Sequence, residues 1–132
     1  EAQAKALNRK PIARILGYAT CAQDPVWFTT APSGAIRQVL KQCELSPSQI
    51  DLWEINEAFS VVTLMAMKDF EIPREKVNVE GGAIALGHPI GASGARILTT
   101  LIHSLAHRQK RYGLATLCIG GGEAVAMVVE RT

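Results

Sequence analysis

Three residues far apart in the chain, Asn56, His88 and Cys118, carry side chains suited to work on a carbonyl compound. An imidazole takes a proton from a thiol near neutral pH. A thiol serves as nucleophile, or as acid and base when its pKa is shifted. A carboxamide holds a water or a carbonyl oxygen. His88 stands in Gly87-His88-Pro89, within a glycine-dense stretch from Gly81 to Gly94. Glycine permits backbone shapes and close approaches that other residues forbid, and Pro89 restricts the residue before it. A lone histidine is more often structural, donating to a loop carbonyl; the flanking glycines favour the functional reading here. Cys118 is followed by Ile119-Gly120-Gly121-Gly122. Such a run can turn a backbone N–H into a pocket, as an oxyanion hole requires. For Cys118 itself, a core cysteine and a reactive one are evenly matched. For Asn56, spacing alone favours a helix N-cap.

Other sites are disfavoured. Gly82 to Gly87 matches GxxxxG, but His88-Pro89 replaces the Lys and Ser/Thr of a phosphate loop. Gly87, Gly91 and Gly94 do not form GxGxxG, and no acidic residue ends the following strand to meet a ribose. His103 and His107 share a helix face without the glutamate of a zinc protease or a third ligand. They read as cations near a helix C-terminus.

Convergence of these residues depends on the elements that carry them. Ile12 to Tyr18, extending toward Ala22, is a strand candidate ended by Asp24-Pro25. Pro32 opens a helix with Ile36, Val39, Leu40 and Cys43 on one face. Ile50 to Ile55 alternates as a strand does, and Ala58 to Phe70 is apolar around most of its circumference, which predicts a mostly buried helix. Val77 to Val79 is a short strand candidate. The glycine-rich stretch leads to a helix from Ser93 to His107. Leu114 to Ile119 is an apolar strand of the buried kind, and Ala124 to Val129 returns antiparallel. The alternation predicts an α/β fold: a five-stranded, mixed, mostly parallel sheet with helices on both faces and the last strand antiparallel. Ligands of such sheets gather beyond the carboxyl ends of the strands, where Asn56, His88 and Cys118 would arrive.

The 132 residues fit one domain, 1–132, with residues 1–10 a linker or helix end. An apolar content of 48% excludes a disordered tail. A net charge of +2 without single-sign runs argues against nucleic acid as the main partner. No apolar stretch predicts a membrane span, and the start, Glu1-Ala-Gln-Ala-Lys-Ala, lacks the apolar region of a signal peptide. Glu rather than Met in first place suggests a processed product or an excised domain. Three irregularly spaced cysteines, Cys21, Cys43 and Cys118, do not form a disulfide framework or a CxxC zinc pair. A reducing cytoplasm, mitochondrial matrix or peroxisome is the expected home.

Three motifs in order, NEAF (Asn56–Phe59), NVEGGAIALGHPIGASGAR (Asn78–Arg96) and CIGGGEA (Cys118–Ala124), resemble the thiolase family, the acetyl-CoA acetyltransferases and 3-ketoacyl-CoA thiolases. The similarity covers only the C-terminal half of a thiolase. It implies a three-layer α/β/α domain and acyl transfer between CoA thioesters, by Claisen condensation of two acyl-CoA molecules or thiolytic cleavage of a 3-ketoacyl-CoA. It also implies that the nucleophilic cysteine lies in an absent N-terminal half, so that the isolated chain is inactive. By the same resemblance His88 activates that thiol and helps bind the thioester oxygen. Cys118 moves a proton to or from the substrate α-carbon or the CoA thiol. Asn56 holds a water facing one oxyanion, and the Gly120 N–H serves the other. Phe59 would line the pantetheine tunnel, and Phe28 stands where many relatives carry methionine. No metal or redox cofactor is implied; CoA and acyl-CoA are substrates, and the full-length protein would be a homodimer or homotetramer. The runners-up are another condensing enzyme of this fold, such as a ketoacyl synthase, and a non-catalytic CoA-ester or lipid-binding module. The helix at Ala58–Phe70 or Ser93–His107 is expected at the seam with the other half.

Overall fold

The computed structural model describes residues 2–132. Glu1, and with it the reading of the chain's first residue, lies outside them. Four strands, β1 (Ala13–Ala22), β2 (Leu52–Ile55), β3 (Tyr112–Ile119) and β4 (Glu123–Arg131), form one sheet in the order β1-β4-β3-β2. Among the described residues, five α-helices accompany them: α1 (Ala2–Ala6), α2 (Ala31–Gln42), α3 (Ser60–Phe70), α4 (Ala83–Leu86) and α5 (Ser93–His107). Residues Ala2–Ala6 form a short helix before the chain enters β1.

Side-chain alternation divides the sheet into two apolar faces. On one, Trp53, Ile55, Leu114, Ala126 and Val128 pack with Ile36 and Val39 of α2 and Val62 and Ala66 of α3. On the other, Leu52, Ala115 and Val129 meet Ile97, Leu101 and Leu105 of α5. Those three α5 residues recur at the spacing of one helical face. This is a three-layer α/β/α arrangement. Gly113 lets α5 approach closely, since a Cβ there would lie 2.8 Å from Leu101 Cδ1.

The sheet has four strands rather than five. Val77 makes only an isolated parallel bridge to Trp53. Asn78 then turns to φ +46 and spends its side chain on Ile55, so the extended run stops after one residue. β2 pairs parallel with β3, whereas β4 is antiparallel to both β3 and β1. Three strands thus share a direction and the last opposes them, as expected. Because β4 inserts between β1 and β3 instead of lying at an edge, two of the three pairings are nevertheless antiparallel.

Helix α3 also differs from expectation. It starts at Ser60, after an extended Phe59, and buries only Val62, Thr63 and Ala66. Val61 and Leu64 stay 42% and 61% exposed. Among the described residues, no helix is long and apolar enough to cross a membrane.

Candidate active site

Asn56 directly follows β2, and its backbone N–H donates to the Thr116 carbonyl of β3 at 3.0 Å. This one bond sets Asn56 at the carboxyl end of the parallel pair, beside the strand that delivers Cys118 two residues later. The helix-cap reading of Asn56 fails: the N-cap of α3 is Phe59. The Asn56 side chain, fully buried, instead places Nδ2 3.4 Å from His88 Nε2. Its Oδ1 is buried without a protein partner, an acceptor available to a water or to a donor on a substrate.

His88 comes to Asn56 through the glycine-rich segment. Gly82 leads into α4, one short turn of helix, and Gly87 ends it at φ +92, a conformation that side chains with a Cβ avoid. The Glu57 carboxylate anchors this segment. One oxygen accepts the Ile84 N–H at 3.1 Å and the other accepts from Asn78 Nδ2 at 3.1 Å. A Cβ on Gly82 would collide with that carboxylate. Past Pro89 the chain enters α5, where Ser93 Oγ lies 2.6 Å from His88 Nδ1. The imidazole, itself on an exposed stretch, therefore has a polar neighbour at each nitrogen.

Cys118 is 6% exposed and faces the α2 side of the sheet. Burial pushes its thiol above the ordinary cysteine value, because a thiolate there loses hydration. The turn that follows uses Gly121 and Gly122 at φ +95 and +89. Gly122 also packs against the chain after β1, with its carbonyl accepting the Gln23 N–H at 3.0 Å. A Cβ at Gly120 would meet nothing within 4 Å, so its surroundings are open to a ligand.

Phe28 lies in a 3-10 segment, Pro25–Thr30, whose start is capped by Asp24. Its ring meets that of Phe59 edge to face, with centroids 6.0 Å apart. Two aromatic residues 31 positions apart thus form one apolar pair.

Sequence reasoning missed the residues supporting this arrangement. Asn78 joins Ile55 to Glu57, Ser93 holds His88, and Arg96 of α5 pairs with Glu54 of β2 at 3.2 Å. Glu54 is 2% exposed. Burial raises its carboxyl to about 7, although Arg96 pulls it down. A glutamate in the strand run Leu52–Ile55 should have signalled a buried partner. Nothing in the local spacing pointed to Ser93. His103 and His107 remain exposed on α5, and among the described residues no three His, Cys, Asp or Glu side chains gather as a metal site.

The family model "Thiolase, C-terminal domain" matches residues 9–131. The chain belongs to the thiolase family. It is 52% identical over 131 residues to a probable acetyl-CoA acetyltransferase of Dictyostelium discoideum, covering 99% of this chain and 32% of that protein. It is 51% identical over 128 residues to a mitochondrial acetyl-CoA acetyltransferase of Bos taurus, covering 97% of this chain and 30% of the relative. Among solved thiolase-fold structures, the Bacillus anthracis acetyl-CoA acetyltransferase superposes with a TM-score of 0.97 at 45% identity, over 100% of this chain and 34% of that one. Human mitochondrial 3-ketoacyl-CoA thiolase in complex with CoA gives 0.97 at 42% identity, over 100% and 33%. The chain thus spans about a third of the length of the thiolases it matches.

Proposed function

We propose that this chain is the C-terminal domain of a longer thiolase and works with an N-terminal half that carries the nucleophilic cysteine. Together they would transfer acyl groups between CoA thioesters, by condensing two acyl-CoA molecules or cleaving a 3-ketoacyl-CoA with CoA. The observation that carries this reading is the contact between the Asn56 carboxamide and the His88 imidazole at the end of the parallel pair. Residues 32 positions apart become one polar pair at the place where such folds bind ligands.

In the cleavage direction, His88 Nε2 takes the proton of the nucleophilic thiol. The thiolate adds to the 3-keto carbon, and the Gly120 N–H stabilises the oxyanion formed there. The bond between that carbon and the α-carbon then breaks. Its electron pair passes to the α-carbon as an enolate, whose oxygen is held by His88 and by a water on Asn56. Cys118 gives its proton to the α-carbon, releasing acetyl-CoA while the shortened acyl chain stays on the nucleophilic cysteine. The Cys118 thiolate next takes the proton of an incoming CoA thiol, and the CoA sulfur attacks the acyl-cysteine. The nucleophilic cysteine leaves as a thiolate and recovers its proton from His88. Splitting the transfer through a covalent thioester makes two easier steps. Burial of Cys118 suits its part: the thiol keeps its proton until a carbanion demands it, and the thiolate is a strong base afterwards.

Phe59 and Phe28 would flank the pantetheine arm of CoA. Docking of the N-terminal half accounts for apolar side chains left in the open near the site. Phe59, Leu64, Ile84 and Ile90 are 59%, 61%, 67% and 86% exposed, and a docked partner half would cover them. Assembly of the full-length protein as a homodimer or homotetramer, in a reducing cytoplasm or organelle matrix, completes the proposal. The three cysteines are all free thiols.

The test is turnover of acetoacetyl-CoA with CoA, followed by loss of the ketoacyl-CoA absorbance. The full-length protein should turn over, and the 132-residue chain alone should not. Turnover by the chain alone would overturn the half-site argument. Binding of CoA esters without turnover by the full-length protein would favour a binding module.

A further inference from the structure

We infer that Ser93 is the positioning residue that makes His88 Nε2 the basic nitrogen of the ring. This deepens the proposed function and rests on it. Three contacts form a short chain: Asn56 Nδ2 to His88 Nε2 at 3.4 Å, His88 Nδ1 to Ser93 Oγ at 2.6 Å, and Ser93 Oγ to the Pro89 carbonyl at 3.1 Å. The two ends determine the middle. Asn56 Nδ2 has only protons to offer, so Nε2 must face it with a lone pair. In a neutral ring the proton is then on Nδ1, and Ser93 Oγ must accept it. The Pro89 carbonyl has no proton to give, so Ser93 directs its own hydroxyl there. Every donor faces an acceptor in this arrangement, and reversing any one bond sets two donors or two acceptors against each other.

Ser93 is 1% exposed, so water does not substitute freely for its oxygen. It is not the cap of its helix: α5 starts from Ala92, which makes no side-chain capping bond. The same hydroxyl serves after proton uptake. An imidazolium has protons on both nitrogens, and Ser93 Oγ continues to accept the one on Nδ1. An alanine at this position would remove the buried oxygen that accepts the Nδ1 proton, and the ring would shift toward the tautomer with its proton on Nε2. That tautomer cannot take a proton at the nitrogen facing Asn56.

The experiment compares full-length parent, Ser93→Ala and His88→Ala proteins, with histidine ring nitrogens labelled with 15N. The parent spectrum should show His88 with its proton on Nδ1. Ser93→Ala should populate the other tautomer and lower kcat about 100-fold, in the range of a lost general base. Its KM for acetoacetyl-CoA should stay within about threefold, since no binding contact is removed. A parent ring carrying its proton on Nε2 would overturn the inference, and so would an unchanged kcat in Ser93→Ala while His88→Ala is inactive. If Ser93→Ala does not fold, the parent spectrum decides alone. Full activity in His88→Ala would instead sink the proposed role of His88, whatever Ser93 does.

Discussion

Replacing Asn78 by alanine should release the strand end that carries Asn56. Asn78 is 4% exposed, and its carboxamide clasps Ile55 from both sides. The Ile55 N–H donates to Oδ1 at 2.8 Å, and Nδ2 donates to the Ile55 carbonyl at 2.9 Å. The remaining Nδ2 proton goes to Glu57 at 3.1 Å. Ile55 is 1% exposed, so alanine leaves its two backbone groups buried without these partners. Each stranded group costs about 1–3 kcal/mol. Asparagine tolerates the left-handed backbone at φ +46, where alanine adds about 1 kcal/mol. Water entering at the strand end offsets part of this, so the expected loss is about 3–4 kcal/mol, a large share of the stability of a small domain. Asn78→Gly loses the same bonds without the backbone strain and should be less affected by about 1 kcal/mol. Equilibrium urea unfolding of the chain, followed by fluorescence, reads both variants, because Trp53 is 1% exposed and neighbours Ile55 in sequence. An alanine variant within 1 kcal/mol of the parent would show that the clasp does not hold the strand end.

Four further outcomes follow from particular contacts. Glu54 titrates at about 7 in the fold against 4.5 ordinarily, so the native state keeps a proton that the unfolded chain has already lost. Its contribution to stability must therefore decline as pH rises through that window, by up to about 1.4 kcal/mol per pH unit. Glu54→Gln should gain on the parent between pH 5 and pH 7 in urea titrations; parallel pH profiles would refute the buried-carboxyl argument. Gly122→Ala should cost at least about 2 kcal/mol, because φ is +89 and a Cβ would sit 2.3 Å from the Gln23 carbonyl oxygen. Gly120→Ala should unfold like the parent but reduce turnover of the full-length protein about tenfold or more by crowding the proposed oxyanion donor. Equal stability losses at both glycines would contradict the geometry. Phe59→Ala, which breaks the edge-to-face contact with Phe28, should raise KM for acyl-CoA about 2–10-fold with a smaller change in kcat; an unchanged KM would remove Phe59 from the substrate path.

The four strands of the sheet and the long helices α2, α3 and α5 were legible in the sequence because their signals are local. Apolar residues at Ile36, Val39 and Leu40 mark a helix face wherever the helix packs. The glycines around His88 and after Cys118 mark unusual backbone whatever surrounds them. What spacing misjudged was the use of polar groups. Asn56 read as a helix cap because local rules place a carboxamide before a helix. Only the fold brings His88 within reach, and only the extended Phe59 removes Asn56 from the capping position. Val77 to Val79 read as a strand because its residues favour one. Tertiary structure instead spends Asn78 on Ile55, 23 positions away. The exposure of Val61 and Leu64 likewise depends on what packs against α3, not on their own pattern. Periodicity determines which residues share a face. Which partner a buried hydrogen-bonding group finds is a matter of distances between segments that local sequence does not contain, and here those distances join Asn56, His88 and Ser93 into one chain of contacts.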